Sequence, residues 1–229
     1  QRNLAIEVAE LIWLRDHSDI KINSKPEEAG EKFDWLDQAL PPQHNRHDEQ
    51  IVLQQFSTPV RMAWLIARAA NIRATDTMLE PSAGTGLLAL WPHLAGARLH
   101  LNEIANLRRE CLSAIFLDAS ITAHDGELID ELLDPACSPS IIMMNPPFAR
   151  STERGVDGDT AYRHLRSAWR RLASGGRLVA IMPEGFKPSR FAGEFQGGCA
   201  VQLNALVSRS FAKRGTGITV RMVVFDKIE

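Results

Sequence analysis

Residues 77–86 of the chain read TMLEPSAGTG, and this stretch decides the architecture of the rest. A short apolar run that ends in Glu80 is typical of a buried strand, and the run LLAL at 87–90 is typical of a helix. Gly84 and Gly86 lie between them, where residues without a Cβ let the backbone turn tightly and approach a ligand. A strand, a glycine loop and a helix in this order predict the first unit of a doubly wound α/β sheet, which binds its ligand at the carboxyl ends of the strands.

The glycine loop differs from two common nucleotide-binding loops. Ala89 stands where the dinucleotide fingerprint has its third glycine, so the pattern is weak evidence for a nicotinamide cofactor. A phosphate-binding loop has a lysine and a hydroxyl residue directly after its glycines, whereas Leu87 and Leu88 follow here. The loop therefore indicates a ligand of another kind.

Residues 141–148 read IIMMNPPF and predict both a buried strand and the point where it ends. Pro146 and Pro147 fix φ and lack an amide donor, so a central strand cannot pass through them. The strand must end at Asn145. A stiff loop then holds the Asn145 amide, the Pro146 carbonyl and the Phe148 ring at the carboxyl edge of the sheet, where a catalytic site is expected.

Two acidic residues follow the next predicted strands. Glu103 and Ile104 end the strand predicted at 97–102, and a carboxylate about twenty residues past a glycine loop is placed to accept hydrogen bonds from ribose hydroxyls. Asp125 comes after the strand predicted at 121–123.

Upstream, residues 54–59 read QQFSTP and predict a helix with Thr58 as its N-cap and a proline in its first turn.

Three motifs in this order, FSTP at 56–59, EPSAGTG at 80–86 and NPPF at 145–148, resemble the gamma group of DNA N6-adenine methyltransferases, including the modification subunits of type I restriction systems. Residues 51–103 are also similar to the methylase-like domain that precedes the helicase in bacterial strawberry-notch-type proteins. Enzymes of the gamma group carry a target-recognition domain after the last strand, and this chain ends at Glu229. Target recognition is therefore expected from a missing domain or from a fused or separate helicase, nuclease or recognition partner.

The resemblance implies S-adenosylmethionine as the cofactor and transfer of its methyl group to N6 of adenine in DNA. Catalytic residues implied by the NPPF motif are Asn145, Pro146, Pro147 and Phe148. The amide and the Pro146 carbonyl would hold the amino group, and the aromatic ring would stack on an extruded base. The residues expected at the cofactor are Phe56, Ser57, Thr58, Glu80, Ser82, Ala83, Gly84, Gly86, Glu103, Ile104, Asp125 and Asn145. No metal is expected, because the sulfonium already provides a good leaving group.

The predicted fold class is α/β, a Rossmann-like methyltransferase fold. Two late strands, at 200–207 and 218–225, are joined by a short connection and should form an antiparallel pair. They extend five parallel strands to a seven-stranded, mostly parallel sheet with one antiparallel strand. We assign residues 1–50 to an N-terminal helical extension and residues 51–229 to the methyltransferase domain.

Composition and charge narrow the functional classes. The chain has 229 residues and three cysteines, and we interpret it as a protein of the bacterial cytosol with reduced thiols. It begins with Gln1, which suggests a segment of a longer protein. Residues 1–140 carry 12 Lys and Arg against 21 Asp and Glu, while residues 141–229 carry 14 against 7. The basic half follows the catalytic motif, and a group of arginines at 163–171 is either a solvated helix face or a surface for DNA.

Three other functions share these motifs. A methyltransferase acting on RNA bases, or on a protein glutamine, also uses Asn-Pro-Pro followed by an aromatic residue. A third alternative is a domain without catalytic activity that binds cofactor or nucleic acid as an accessory to a helicase or restriction protein. The FSTP segment favours DNA, and the complete set of acidic residues and NPPF favours an enzyme.

Overall fold

The computed structural model describes residues 2–17, 19–41, 57–148, 150–152, 155–194, 199–207 and 219–228. Phe56, which was predicted to contact the cofactor, lies outside these ranges. So do Arg154, Lys213 and Arg214 of the basic half.

A seven-stranded sheet forms the centre of the molecule. Its strands are β1 (Thr77–Glu80), β2 (Arg98–Asn102), β3 (Ser120–Thr122), β4 (Ile141–Met144), β7 (Arg177–Pro183), β8 (Cys199–Val207) and β9 (Val220–Lys227). Their spatial order is β3-β2-β1-β4-β7-β9-β8. The five strands from β3 to β7 are parallel, and β9 runs antiparallel to both of its neighbours, β7 and β8. The predicted sheet, with one reversed strand, is confirmed.

Seven α-helices cover the sheet in the described ranges. They are α1 (Arg2–His17), α2 (Pro26–Ala39), α3 (Val60–Ala70), α4 (Leu90–Leu94), α5 (Asn106–Ile115), α6 (Ile129–Leu132) and α7 (Thr160–Arg171). Two 3-10 helices, Gly126–Leu128 and Pro188–Glu194, complete these layers. None of the helices in the described ranges combines the length and the apolar character that a bilayer span requires.

Strand β4 is buried on both faces, as expected for a central parallel strand with helices above and below. Successive side chains of a strand point to opposite faces. Ile141 and Met143 therefore pack into the core beneath α1 to α5, while Ile142 and Met144 pack into the core beneath α6 and α7. This double anchoring holds the end of β4, and with it Asn145, at a fixed place on the edge of the sheet.

The two N-terminal helices share the core of the central fold. Leu11 of α1 and Phe33 of α2 are fully buried in the same cluster as Met78 of β1. The indole of Trp91 donates a hydrogen bond to the Ile20 carbonyl at 3.3 Å, which ties the α1–α2 connection to α4. The helical extension is thus packed on the fold as expected, and its boundary at residue 50 stays a prediction.

A small hairpin follows the catalytic motif directly. Its strands are β5 (Arg150–Thr152) and β6 (Gly155–Asp157), paired antiparallel outside the main sheet. These two strands were not predicted, because three-residue strands of mainly polar composition show no recognisable alternation of apolar and polar residues.

Candidate active site

A cavity opens at the carboxyl edge of the sheet, above the ends of β1, β2 and β4. The predicted residues that line it are Ser57, Thr58, Glu80, Ser82, Ala83, Gly84, Glu103, Ile104, Asp125, Asn145 and Pro147. Three predicted residues do not line it: Gly86, Pro146 and Phe148. Predicted residues as far apart in sequence as Ser57 and Pro147 therefore meet in one site, as the doubly wound topology requires.

The glycine loop has the backbone that its sequence predicts. Gly84 and Gly86 have φ angles of 57° and 96°, values that side chains with a Cβ rarely adopt. The Gly84 amide donates to Glu103 Oε2 at 2.7 Å, and the Ala83 amide donates to the Asn102 carbonyl at 2.8 Å. The loop is thus fastened to the end of β2, and its shape is set before any ligand binds.

Gly86 does not line the cavity, because it packs against the core below it. A Cβ at this position would overlap Phe116 Cε2 and would lie 2.8 Å from Leu112 Cδ2. Both neighbours are buried, so they have little room to move.

We expect Gly86→Ala to destabilise the fold by about 2–3 kcal/mol, because it combines a strained φ with overpacking. Urea denaturation would measure the shift in the free energy of unfolding. Gly158→Ala is the matched control, since a Cβ there meets nothing within 4 Å. Equal unfolding midpoints for the two variants would contradict the role assigned to Gly86.

Glu103 is held by the backbone on both oxygens. Oε1 accepts from the Ala105 amide at 2.8 Å and Oε2 from the Gly84 amide at 2.7 Å, and the residue is 4% exposed. Burial raises the pKa of Glu103, although these hydrogen bonds and the guanidinium groups of Arg108 and Arg109 act in the opposite direction. Each carboxylate oxygen has a second lone pair, so the predicted contact with ribose hydroxyls remains chemically feasible.

Glu80 is the most unusual group in the cavity wall. It is 2% exposed, and its Oε2 has no hydrogen-bond partner among the described residues. Burial, and then the neighbouring charge of Glu103, raise the pKa of Glu80 well above its ordinary value. A buried carboxylate oxygen without a donor is costly. A cationic ammonium group of a ligand in the cavity would supply the missing donor.

Asn102, at the end of β2, was not predicted as a site residue. Its Nδ2 donates to the carbonyls of Pro81 and His124, both at 2.9 Å, and its Oδ1 accepts from the Thr122 hydroxyl and the His124 amide, both at 2.8 Å. One fully bonded amide thus fastens the glycine loop to the end of β3. A polar residue at the last position of a buried strand was the signal in the sequence.

Asp125 lies at the cavity and caps the 3-10 helix that follows it. Its Oδ1 accepts from the Glu127 amide at 3.0 Å. Asp125 follows β3, the position on which its expected contact with the amino group of the cofactor adenine was based. That contact stays a prediction.

Thr58 does not cap α3 as predicted, because Pro59 occupies the N-cap and no side chain bonds to the first turn. The buried Thr58 hydroxyl instead accepts a hydrogen bond from Asn145 Nδ2 at 3.0 Å. This bond joins the FSTP and NPPF motifs, and it fixes the orientation of the amide.

Phe148 is half-buried and packs against both hydrophobic cores, so its expected stacking on a base stays a prediction.

Several residues that line the cavity were not predicted as site residues. They are Glu7 and Glu10 of α1, Arg108 of α5, His124 and Gly126 after β3, and His164 of α7. The His164 ring is buried, and its Nδ1 lies 3.2 Å from the Thr160 carbonyl. No group of His, Cys, Asp or Glu in the described ranges is arranged to hold a metal ion.

The arginines at 163–171 are committed to intramolecular contacts. Arg163 binds Glu127 and Asp157 at 2.7 and 2.5 Å, and its pKa is raised by these carboxylates. Arg166 and Arg170 bind Glu194 at 2.8 and 3.1 Å. The hypothesis that this helix face is a nucleic-acid surface is therefore not supported by the structure, because its positive charge is offset by acids.

No protein-family model matches the chain. It is 30% identical over 108 residues to the ribosomal RNA small subunit methyltransferase C of Chromohalobacter salexigens, covering 47% of this chain and 32% of that protein. It is 30% identical over 130 residues to the U6 snRNA (guanine-N(2))-methyltransferase THUMPD2 of Bos taurus, covering 54% of this chain and 25% of that protein. The chain thus spans about a third or less of the curated relatives that it matches.

Two solved structures have the same fold. A Pyrococcus horikoshii protein predicted to be an RNA methyltransferase superposes with a TM-score of 0.62 at 19% identity, over 89% of this chain and 98% of the other. A modification subunit of a predicted type I restriction enzyme from Vibrio vulnificus gives a TM-score of 0.62 at 16% identity, over 92% of this chain and 51% of the other. The chain therefore has the Rossmann-like fold of S-adenosylmethionine-dependent methyltransferases, and the cofactor that belongs to this fold is S-adenosylmethionine.

Proposed function

We propose that this chain is a methyltransferase that uses S-adenosylmethionine to methylate an exocyclic amino group of a nucleic-acid base, with RNA as the favoured polymer. The observation that carries this proposal is the Asn145 amide at the end of β4, fixed by its 3.0 Å hydrogen bond to Thr58 on the wall of the cavity. Because the chain covers only 32% and 25% of the two curated relatives, its substrate and its activity are proposals.

Asn145 and Pro146 provide the acceptors that such a reaction needs. The lone pair of an amino group on a base is delocalised into the ring, which makes the nitrogen a poor nucleophile. The Asn145 Oδ1, on the cavity wall, can accept one N–H of that group. The neighbouring Pro146 carbonyl, which does not line the cavity, would accept the other, and together they would favour tetrahedral geometry at the nitrogen. Because Asn145 Nδ2 donates a hydrogen bond to the Thr58 hydroxyl, the amide is oriented before the substrate arrives. The site then needs little reorganisation during the reaction.

The cavity residues fit the cofactor by their chemistry. When bound, S-adenosylmethionine supplies an electrophilic methyl group on a sulfonium. Glu80 Oε2, buried and without a donor, fits the ammonium group of its methionine part. Glu103 can accept from the ribose hydroxyls, and Asp125 can accept from the adenine amino group. Together these side chains would place the cofactor against Asn145.

The choice of RNA rests on the relatives. One curated relative is named as a ribosomal RNA methyltransferase and the other as a guanine-N(2) methyltransferase of U6 snRNA. Both names describe RNA substrates, and the second describes an exocyclic amino group, which is the chemistry that Asn145 serves. These relatives favour the RNA alternative over the adenine of DNA that the motifs alone suggested.

DNA N6-adenine is the second candidate. The FSTP–EPSAGTG–NPPF order and the structural likeness to a modification subunit of a type I restriction enzyme favour it. The base chemistry is the same for both polymers, since adenine N6 and guanine N2 are both conjugated amino groups. The polymer is therefore a matter for direct measurement.

Transfer of tritium from labelled S-adenosylmethionine tests the proposal. The 229-residue chain is incubated with total RNA, with mixed DNA and with protein, and the labelled nucleosides are then separated. We expect label in RNA, in N2-methylguanosine or N6-methyladenosine. Label confined to N6-methyladenine in DNA would return the function to the second candidate, and label on protein glutamine would refute a nucleic-acid substrate. Cofactor binding without transfer to any polymer would favour the accessory alternative.

A further inference from the structure

Helix α1 forms one wall of the cofactor cavity. Glu7 and Glu10 lie one turn apart on this helix and both line the cavity, although their exposed fractions are only 4% and 2%. Leu11 and Leu14 of the same helix are fully buried in the core, so the helix is fixed in this position by apolar packing. The Arg15 guanidinium also donates to the Ile115 carbonyl at 3.3 Å. A segment outside all three motifs thereby places two carboxyl groups at the cavity.

Arg108 connects α1 to the glycine loop. Its Nη2 lies 3.4 Å from Glu7 Oε2, and both side chains are more than nine-tenths buried. A Cβ at Gly84 would lie 3.0 Å from Arg108 Nη1, so the guanidinium rests against the loop. Neither Glu7 Oε2 nor Arg108 Nη2 has a hydrogen-bond partner among the described residues. The ion pair is therefore loose and leaves buried polar atoms at the cavity unsatisfied.

The wall carries far more acidic than basic side chains. Its carboxyl groups are Glu7, Glu10, Glu80, Glu103 and Asp125, and its one guanidinium in the described ranges is Arg108. Two of these acids, Glu7 and Glu80, have a buried oxygen without a hydrogen-bond partner among the described residues. A cavity with this imbalance attracts a cationic ligand, because charges in a site of low dielectric are weakly screened.

We propose that Glu7 and Glu10 make α1 a specificity element of the cofactor site, which favours the positively charged sulfonium cofactor over its neutral thioether product. This inference rests on the cofactor of the proposed function. S-adenosylmethionine carries a net charge of about +1 at neutral pH and S-adenosylhomocysteine about zero, since transfer of the methyl group removes the sulfonium charge. The acidic wall stabilises the first more than the second and so promotes exchange of product for fresh cofactor.

Calorimetric titration of the full chain with S-adenosylmethionine and with S-adenosylhomocysteine tests the inference through the ratio of their two Kd values. We expect Glu7→Gln and Glu10→Gln each to reduce the preference for the sulfonium form by about tenfold. Asp16→Asn is the matched control: it removes one acid of the same helix, one that is paired with Arg15 on the surface, and should leave the ratio unchanged.

A double variant separates charge from packing. Glu7→Gln with Arg108→Met removes one negative and one positive group, so the net charge of the wall is preserved and the ratio should return toward that of the unmodified chain. Glu10→Gln leaves the Glu7–Arg108 pair in place. It therefore tests the inference even if Glu7→Gln does not fold.

An unchanged ratio in both single variants would overturn the inference. Failure of the unmodified chain to bind S-adenosylmethionine would overturn it together with the cofactor of the proposed function. Absence of methyl transfer despite intact binding would affect the proposed function alone.

Discussion

Asn145→Ala is expected to abolish methyl transfer, with a loss of roughly 10²–10³-fold in kcat, while cofactor affinity is spared. In the proposed mechanism the amide acts on the amino group of the substrate and not on the sulfonium, so its removal should leave the proposed cofactor contacts of Glu80 and Glu103 in place. Single-turnover transfer of tritium and calorimetric titration of the cofactor measure the two effects separately.

Thr58→Val provides the graded comparison for this prediction. It keeps the shape of Thr58 but removes the oxygen that accepts from Asn145 Nδ2 at 3.0 Å. Loss of one orienting hydrogen bond, worth about 1 kcal/mol, should reduce kcat by roughly fivefold. Transfer that survives Asn145→Ala would remove the catalytic role of the amide. A Thr58→Val loss as large as that of Asn145→Ala would mean that orientation accounts for the whole effect.

Local sequence rules account for the parts of the site that were predicted. Two prolines cannot continue a central strand, so the position of Asn145 at the end of β4 followed from residues 145–147 alone. Glycines at 84 and 86 predicted a tight turn that approaches a ligand, and both residues have positive φ angles. Parallel strands end at one edge, so Glu80, Glu103 and Asn145 had to meet there once the strand order was known.

The parts that were missed depend on contacts between distant segments. Glu7 and Glu10 occupy an amphipathic helix whose polar side looks solvent-exposed in the sequence, and only the docking of α1 beside α5 buries them. The arginines at 163–171 read as a basic face because their acidic partners, Glu127, Asp157 and Glu194, lie 6 to 36 residues away. Pairing of this kind has no local pattern.

Recognition of the substrate polymer depends on different parts of the protein from those that would act in the reaction. In the proposed function, Asn145 and its partner Thr58 determine the hydrogen bonds around an amino group, and adenine N6 and guanine N2 would both satisfy them. The polymer is recognised by surfaces that contact phosphate, sugar and groove shape. The resemblance carried by the motifs implied both an amino methyltransferase and DNA, and only the first of these concerns the groups at Asn145.

Glu80→Gln is expected to stabilise the protein without cofactor and to weaken cofactor binding at the same time. Burial and the charge of Glu103 raise the pKa of Glu80 above that of the unfolded chain, so the folded state binds this proton more tightly. Stability of the cofactor-free protein should accordingly fall as the pH rises from the ordinary glutamate pKa toward the raised one. The neutral amide removes that loss, and relief of an unsatisfied buried carboxylate is worth about 1–3 kcal/mol.

Thermal unfolding between pH 4 and 8, with and without S-adenosylmethionine, measures both consequences. The unmodified chain should gain Tm on addition of the cofactor, because a ligand that binds only the folded state stabilises it. Glu80→Gln should have the higher Tm without cofactor, a flatter pH dependence and a smaller gain on addition, since a neutral amide cannot form an ion pair with the ammonium group. Glu28→Gln, at an exposed surface acid, should behave as the unmodified chain. A Glu80→Gln variant that is less stable at neutral pH yet still gains Tm with the cofactor would show that Glu80 acts as a neutral structural group, and the ammonium group would then need another partner in the cavity.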